Sequence, residues 1–501
     1  MIARSLEQLR ALREREHGTV ILLTALLVFV LMGMAAFSID IGWIYYNNLR
    51  AKKTAEAAAL AGVVHMPLPG CADPTSGTQP YDVALAISQV NGYTDGVGGV
   101  SISPSMGANC NQLTVQVDTS IPTFFMNVFG ISTVAVSQQA TAEQLPPLKI
   151  GSDEPYLGED PTVGSRNRNF WLATNGDWTP KGQGDPFTPT CYGAGWTSCT
   201  GSNNEFKSPS YYYAFDIPAA EAGSTVTFQV FDPQVNEGGV TIDFNRTHPD
   251  ATGNEPVTYT FTVYAPDSTP NDWTDNSTVI CSKTFRREGQ AGYDPSDMDS
   301  WVSLCSTTVS EGMYVMSVKV TGTVSILNAW SLRALSNGNY DNQVAVYGLG
   351  AMSLWTPEAN PPAPTFKLVK IDEIYAGQEM IISLWDVGDF SVSGNLQLMN
   401  PNAAAAVNSI DCQVRTRDAS GNNPTAWAAD DGSGSVGECY QNISPQEHNN
   451  EWLDFRIEIP GDYTCTGQDC WAWIRYAFGG ATTDRTTWTA RINGQPIHLV
   501  P

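Results

Sequence analysis

The residues in this chain best placed to do chemistry are aspartates lying just after predicted strands. Asp232 sits in FDPQVNEGG, and Asp386 and Asp389 sit in WDVGDFSVSG. At such a position carboxylates and backbone carbonyls can gather around Ca²⁺, a hard cation that takes oxygen ligands. The competing reading is structural, because an Asp beside Pro or Gly caps a turn by accepting bonds from nearby backbone amides. No other cofactor is implied. Paired carboxylates also hydrolyse glycosides, but only as an acid and a base facing each other across a cleft, which spacing along the chain does not supply. The strings GxSxG, HExxH and GxxxxGK are absent. With the common hydrolase and nucleotide-binding signatures missing, the chain is read as non-enzymatic.

Cysteine is the second chemically informative residue. Ten cysteines fall as near neighbours: Cys71 with Cys110, Cys191 with Cys199, Cys281 with Cys305, Cys412 with Cys439, and Cys465 with Cys470. They read as five local disulfides. Clustered cysteines also bind zinc, but no CxxC occurs, and His17, His65, His248, His448 and His498 lie apart from the tighter pairs. Disulfides place the region carrying them in an oxidising, extracytoplasmic compartment.

These groups need a scaffold, and the composition describes one. In 501 residues there are 31 prolines, 44 glycines and 15% charged residues, a balance that suits strands and turns. The length calls for two or three globular units. Net charge is −25, and residues 1–66 hold seven Lys/Arg against five Asp/Glu, leaving −27 on the remainder. A chain so acidic beyond its first segment is a poor partner for nucleic acid.

Residues 19–39, TVILLTALLVFVLMGMAAFSI, contain no charge. As a helix they would be about 32 Å long, enough to cross a bilayer core. A cleavable signal peptide is the rival reading, with Arg4, Arg10, Arg13 and Arg15 as its basic region. The apolar run is too long for that, and helix-compatible sequence continues to Gly62, so the segment is read as a retained anchor. Arg50, Lys52 and Lys53 nearly balance the N-terminal arginines, so the downstream cysteines set the orientation. The N-terminus is cytoplasmic, the C-terminal region is extracytoplasmic, and the chain is a single-pass protein of the cell membrane.

The anchor and its continuation carry a resemblance. EHGTVILLTALLVFVLMGMAAFSIDIGWIYYNNLRAKKTAEAAALAG shows Gly18 before the apolar run, Asp40 and Gly42 at its outer end, then Tyr45 and Arg50, then an Ala-rich stretch with Ala58 and Gly62. It resembles the N-terminal segment of TadG-like proteins of the Tad (Flp) pilus-assembly system. The stretch IPTFFMNVFGISTVAVSQQATAE (121–143) resembles the end of their membrane-proximal region, so the likeness reaches about residue 145. It implies pilus-assembly or other envelope proteins as partners. Pilin-like relatives carry a glutamate five residues after the cleavage glycine, where this chain has Leu23, so prepilin processing is not carried over. The Asp-x-Ser-x-Ser metal motif of relatives with a von Willebrand A domain is also absent, and that adhesion mechanism is not carried over either. Read from the residues alone, Ala51, Ala55, Ala58 and Gly62 share one helical face. That face suits close packing on a partner helix, or the stretch is simply a helical stalk.

Beyond the anchor, residues 67–145 predict a small α+β unit with a helix near Tyr81–Tyr93 and a strand through Leu113, Val115 and Val117. Residues 146–164, rich in Pro and Gly, read as a linker. Alternating strands follow, and they repeat. Ala222-Gly223 precedes Phe231-Asp232 at the spacing by which Ala376-Gly377 precedes Trp385-Asp386. Trp301, Gly312 and Tyr314 match Trp452, Gly461 and Tyr463, and AWSLRA (329–334) echoes TWTARI (487–492). The expected fold is an N-terminal transmembrane helix (19–66, after a cytoplasmic segment 1–18), the α+β region, then two tandem antiparallel jelly-roll-like β-sandwiches at 165–338 and 339–501. The function expected is structural: a membrane-anchored envelope scaffold or adhesion protein. A tethered module binding surface glycans through exposed aromatics is the alternative, and a secreted glycoside hydrolase ranks third.

Overall fold

The computed structural model describes residues 2–500 except 165–169, 177–178, 190, 192–200, 210, 236–243, 246–255, 323–325, 357–364, 389–390, 400–411, 432–437 and 479–483. They form two compact units, one of Met1–Gln144 with Ile497–Pro501 and one of Leu145–Pro496.

The smaller unit is organised by α1, which runs unbroken over Ile2–Gly62. Val20–His65 is long and apolar enough to cross a membrane, and the apolar side chains of residues 20–39 lie open along it. From Asp40 onward the helix acquires a buried face. Ala51, Ala55, Ala58 and Ala59 are fully buried against α2 (Gln79–Val90) and a sheet of β1 (Ser101–Met106), β2 (Gln112–Pro122) and β3 (Thr133–Gln144). The small-residue face is therefore neither a bare stalk nor reserved for another chain, since its close-packing partner is the protein's own α2 and sheet. Gly62 shows how tight this is: a Cβ there would collide with Leu113 and lie 2.8 Å from the Pro80 carbonyl oxygen. Along β2 the buried positions include Leu113, Val115 and Val117, the alternation of a half-buried strand. A fourth strand, Ile497–Val500, pairs with β3. The C-terminal residues thus close the sheet of the small unit, whereas their position in the sequence had assigned them to the second sandwich.

The larger unit holds both repeats. The first comprises β4 (Lys149–Ile150), β5 (Tyr156–Leu157), β6 (Trp171–Asn175), β7 (Tyr211–Ile217), β8 (Thr225–Phe231), β9 (Phe244–Asn245), β10 (Val257–Tyr264), β11 (Val279–Arg286), β12 (Trp301–Thr308), β13 (Gly312–Gly322) and β14 (Ile326–Ser336). The second comprises β15 (Ala345–Leu349), β16 (Ala351–Thr356), β17 (Thr365–Lys370), β18 (Glu379–Trp385), β19 (Gly394–Met399), β20 (Cys412–Arg417), β21 (Ala428–Ala429), β22 (Glu438–Ile443), β23 (Trp452–Glu458), β24 (Trp471–Phe478) and β25 (Asp484–Asn493).

Two antiparallel sheets run through both repeats. One is ordered β11-β10-β13-β7-β15-β4-β17-β24-β19-β22, the other β12-β8-β14-β6-β16-β25-β18-β23-β20-β21, with β5 and β9 pairing β14. Read outward from the centre, the first sheet lists corresponding strands of the two copies throughout, and the second does so from β6/β16 to β12/β23, with β20 and β21 added at the outer edge of the second copy. At the centre the copies exchange strands. β15, which opens the second repeat, pairs with β7 of the first, while β4, which opens the first, pairs with β17 of the second. In the other sheet β6 and β16 meet through Leu172–Leu354 and Trp171–Trp355.

The tandem sandwiches are consequently fused into one body with one core, where Tyr213 packs edge-on to Trp330 and Phe366 stacks on Trp488 at 5.0 Å. The expected boundary falls in the turn between β14 and β15, but that turn separates repeats and not compact units. The stretch 146–164 is likewise no linker: it supplies β4, β5 and the buried Leu148, Ile150 and Leu157. Its Pro and Gly residues shape turns between short paired strands, which composition alone does not distinguish from a flexible connection.

Candidate functional site

Asp40 stands at the outer end of the apolar run, and its carboxylate is fully buried. Oδ1 accepts the backbone N–H of Phe124 (2.9 Å), and Oδ2 accepts those of Phe125 (2.9 Å) and Met126 (2.6 Å). A helix residue thereby fixes the β2–β3 connection beside α1, a long-range cap of the kind a charged acceptor makes with several amides at once. Trp43 packs against Phe124 at 5.8 Å and Phe37 against Phe129 at 5.8 Å.

About three turns further along α1, Arg50 donates from Nη2 to the Asn91 carbonyl (3.1 Å) and lies over the rings of Tyr93 and Tyr46. Gly42 has open space around its Cα, and Tyr45 is exposed. Gly18 lies within α1. Of the sequence-matched residues, Asp40, Arg50, Ala58 and Gly62 are thus the ones that dock α1 on its own unit.

Asp232 and Asp386 occupy equivalent turns. Each follows its strand in a left-handed conformation, with φ of 49° and 61°. The backbone N–H of Asp232 donates to the Ser300 carbonyl (3.0 Å), and Asp232 Oδ1 accepts from Asp299 N (3.1 Å). In the second copy Asp386 N donates to the Glu451 carbonyl (3.0 Å), and Asp386 Oδ1 accepts from Asn450 N (2.6 Å). Each aspartate therefore clamps the end of one strand to the approach of the Trp301 or Trp452 strand, which is why the repeat preserves it. Asp389 lies outside the described residues. Among the described residues no group of three or more His, Cys, Asp or Glu side chains converges on a point that could hold a metal ion. Asp232 Oδ2 is buried without a partner among the described residues, and burial pushes the Asp232 carboxyl up to about 7.

Disulfides join Cys71–Cys110, Cys281–Cys305, Cys412–Cys439 and Cys465–Cys470. Cys191 is disulfide-bonded too, but Cys199 lies outside the described residues. Cys281 on β11 and Cys305 on β12 staple the two sheets at one end of the unit, and Cys439 on β22 and Cys412 on β20 do so at the other.

Sequence reasoning missed the buried cations. Lys181, fully buried, pairs with Glu205 (2.6 Å), donates to the Ala419 carbonyl and lies 4.5 Å from the Trp385 ring centroid. Trp452 Nε1 donates to the same Glu205 (3.1 Å). The β6–β7 connection of the first repeat is thereby bound to the second. Lys367 pairs with Asp153, which also accepts from Trp471 Nε1 (3.1 Å). A lysine set between apolar residues in TFKLVK was the available signal. Asp185 is pushed up to about 6 by burial, although the Tyr211 hydroxyl donates to it at 2.7 Å. A small pocket lined by Asn175, Thr188, Phe206, Lys207 and Lys319 has no carboxylate among its described lining residues.

The arrangement defines a class: a protein with one membrane-spanning-length helix, an α+β unit docked on that helix, and a disulfide-stapled pair of fused β-sandwich repeats. Within it, residues 18–65 match the family model described as "Putative Flp pilus-assembly TadE/G-like", and all seven motif residues from Gly18 to Gly62 fall inside the match. No curated protein sequence matches the chain. Among solved structures, it is similar to the N-terminal CBM22-1-CBM22-2 tandem domain of Xyn10C from Paenibacillus barcinonensis, at 12% identity over 54% of this chain and 79% of that one, TM-score 0.13. It is also similar to a "putative secreted protein" from Parabacteroides distasonis, at 8% identity over 70% and 89% of the respective chains, TM-score 0.11. Overlaps this slight assign neither fold nor ligand, and the architecture stands on the strand order above.

Proposed function

We propose that this protein is a structural component of the cell envelope that takes part in Flp-type pilus assembly, held by its N-terminal helix with the N-terminus cytoplasmic and both folded units outside. The observation that carries the reading is the family match at 18–65 on a helix that passes without a break from an exposed apolar run into a packed face. The disulfides support the orientation, because they require an oxidising compartment. The protein acts by binding and positioning other envelope components, and no catalytic step is assigned to it. A glycan-binding role would call for a platform of exposed rings. Among the described residues of the larger unit the markedly exposed aromatics are Phe206 and Tyr340, so that role is not preferred.

Fractionation of native cells with an antibody to residues 350–501 tests the proposal. Full-length, protease-accessible protein in the membrane and in sheared filaments is the expected result. A shortened protein confined to the medium would overturn both the anchor and the pilus role.

A further inference from the structure

We infer that the β2–β3 connection, residues 122–131, is a second membrane contact: an apolar foot that enters the outer lipid interface beside α1. The inference rests on the anchor reading above. At 1.5 Å per residue a hydrocarbon core of about 30 Å takes about twenty residues. Counted from Val20, the core ends near Ile39. Asp40, the residue that clamps the connection, therefore stands at the core boundary, and the Phe37–Phe129 contact places the tip of the connection just inside it.

The tip is apolar and open. Val128 is 83% exposed, Phe129 71% and Phe124 56%, and no charge occurs from Ile121 to Ile131. In water such a patch is a liability unless something covers it. What covers it follows from continuity, because the connection packs through Phe129 and Phe37 against the same helix whose exposed apolar side chains run up to Ile39 and Ile41. Trp43, Tyr45 and Tyr46 sit one turn further out, the level at which aromatic residues favour the bilayer interface.

The backbone points the same way. Lipid cannot satisfy amides, so an inserting segment must bond its own. Here Phe124, Phe125 and Met126 donate to Asp40, while Val128, Gly130 and Ile131 donate to the carbonyls of Phe125, Asn127 and Met126. Asp40 is thereby shielded, and no bare carboxylate faces the interface.

The test uses full-length, oxidised protein with one added cysteine, Val128→Cys, carrying an environment-sensitive fluorophore, reconstituted in phosphatidylcholine–phosphatidylglycerol vesicles. Val30→Cys in the span and Val90→Cys at the exposed end of α2 are the references. The label at 128 should be blue-shifted and quenched several-fold more by doxyl-labelled lipid than by aqueous iodide. Iodide quenching at 128 equal to that at 90, with the label at 30 still quenched by lipid, would overturn the foot and leave the anchor standing. Shielding of 128 from both quenchers would overturn it in favour of a protein occupant such as a second copy. Iodide access at 30 as well would show that the anchor itself had failed.

Discussion

Replacing Asp40 by alanine removes three backbone acceptor contacts at once, at 2.9, 2.9 and 2.6 Å. A hydrogen bond to a charged group contributes about 1.5–3 kcal/mol, and bonds sharing one carboxylate are not additive, so about 3 kcal/mol is a reasonable total for local closure of the connection. At about 1.4 kcal/mol per factor of ten, amide exchange in 122–131 should accelerate by about two powers of ten. Asp40→Asn keeps one acceptor oxygen and should fall between the two. Hydrogen exchange read by mass spectrometry on the membrane-reconstituted protein gives the answer, with the amides of β2 as an internal control. If Asp40→Ala leaves exchange in the connection within a factor of two or three of the parent, the carboxylate does not hold the loop, and the docking account of this residue is wrong.

Three other perturbations probe different parts of the molecule. Asp232 has its carboxyl raised by burial to about 7 from 3.8, so the folded state keeps a proton that the unfolded chain releases. The associated stability is fully present below about pH 4 and is lost as pH rises through 7. Asp232→Asn should accordingly stabilise the larger unit at pH 8 relative to the parent, by ~4 kcal/mol at most, with the gain vanishing toward pH 4. Urea midpoints at both pH values measure this, and a pH-independent difference would contradict it. Gly62→Val drives a side chain into Leu113 and the Pro80 carbonyl and should cost about 1–3 kcal/mol. Calorimetry should show the small unit melting earlier with the larger unit's transition unmoved. Removing the Cys281–Cys305 bridge, which closes a 24-residue separation, should cost about 3 kcal/mol, with exchange protection lost first in β11 and β12.

The pseudo-symmetry explains why the larger unit behaves as one body. Exchange of β4 and β15 means that neither repeat has a complete central sheet alone. Breaking the unit at the β14–β15 turn would expose strand edges on both sides. The buried Lys367–Asp153 pair crosses the same divide, as do the bonds from Lys181 to the Ala419 carbonyl and from Trp452 Nε1 to Glu205. Either repeat expressed alone should therefore be poorly soluble.

The sequence by itself determined what depends on local pattern. An uncharged run of bilayer length, alternating strands such as 257–263, close cysteine pairs and the FD/WD repeat each follow from short-range periodicity or spacing, because a helix or a half-buried strand writes its exposed and buried faces at a fixed interval. Tertiary structure decided everything that depends on which distant segments meet. Composition made 146–164 a linker, yet its short strands complete both sheets. Position placed 497–500 in a sandwich, yet pairing with β3 returns it to the small unit. The alanine face of α1 announced close packing without naming a partner, and that partner is α2 and the sheet of the same chain. Asp232 and Asp386 illustrate the limit most plainly. A carboxylate after a strand suits a calcium loop as well as the commoner turn clamp, and only the arrival of the Asp299 and Asn450 amides, each more than sixty residues away, gives each carboxylate a partner.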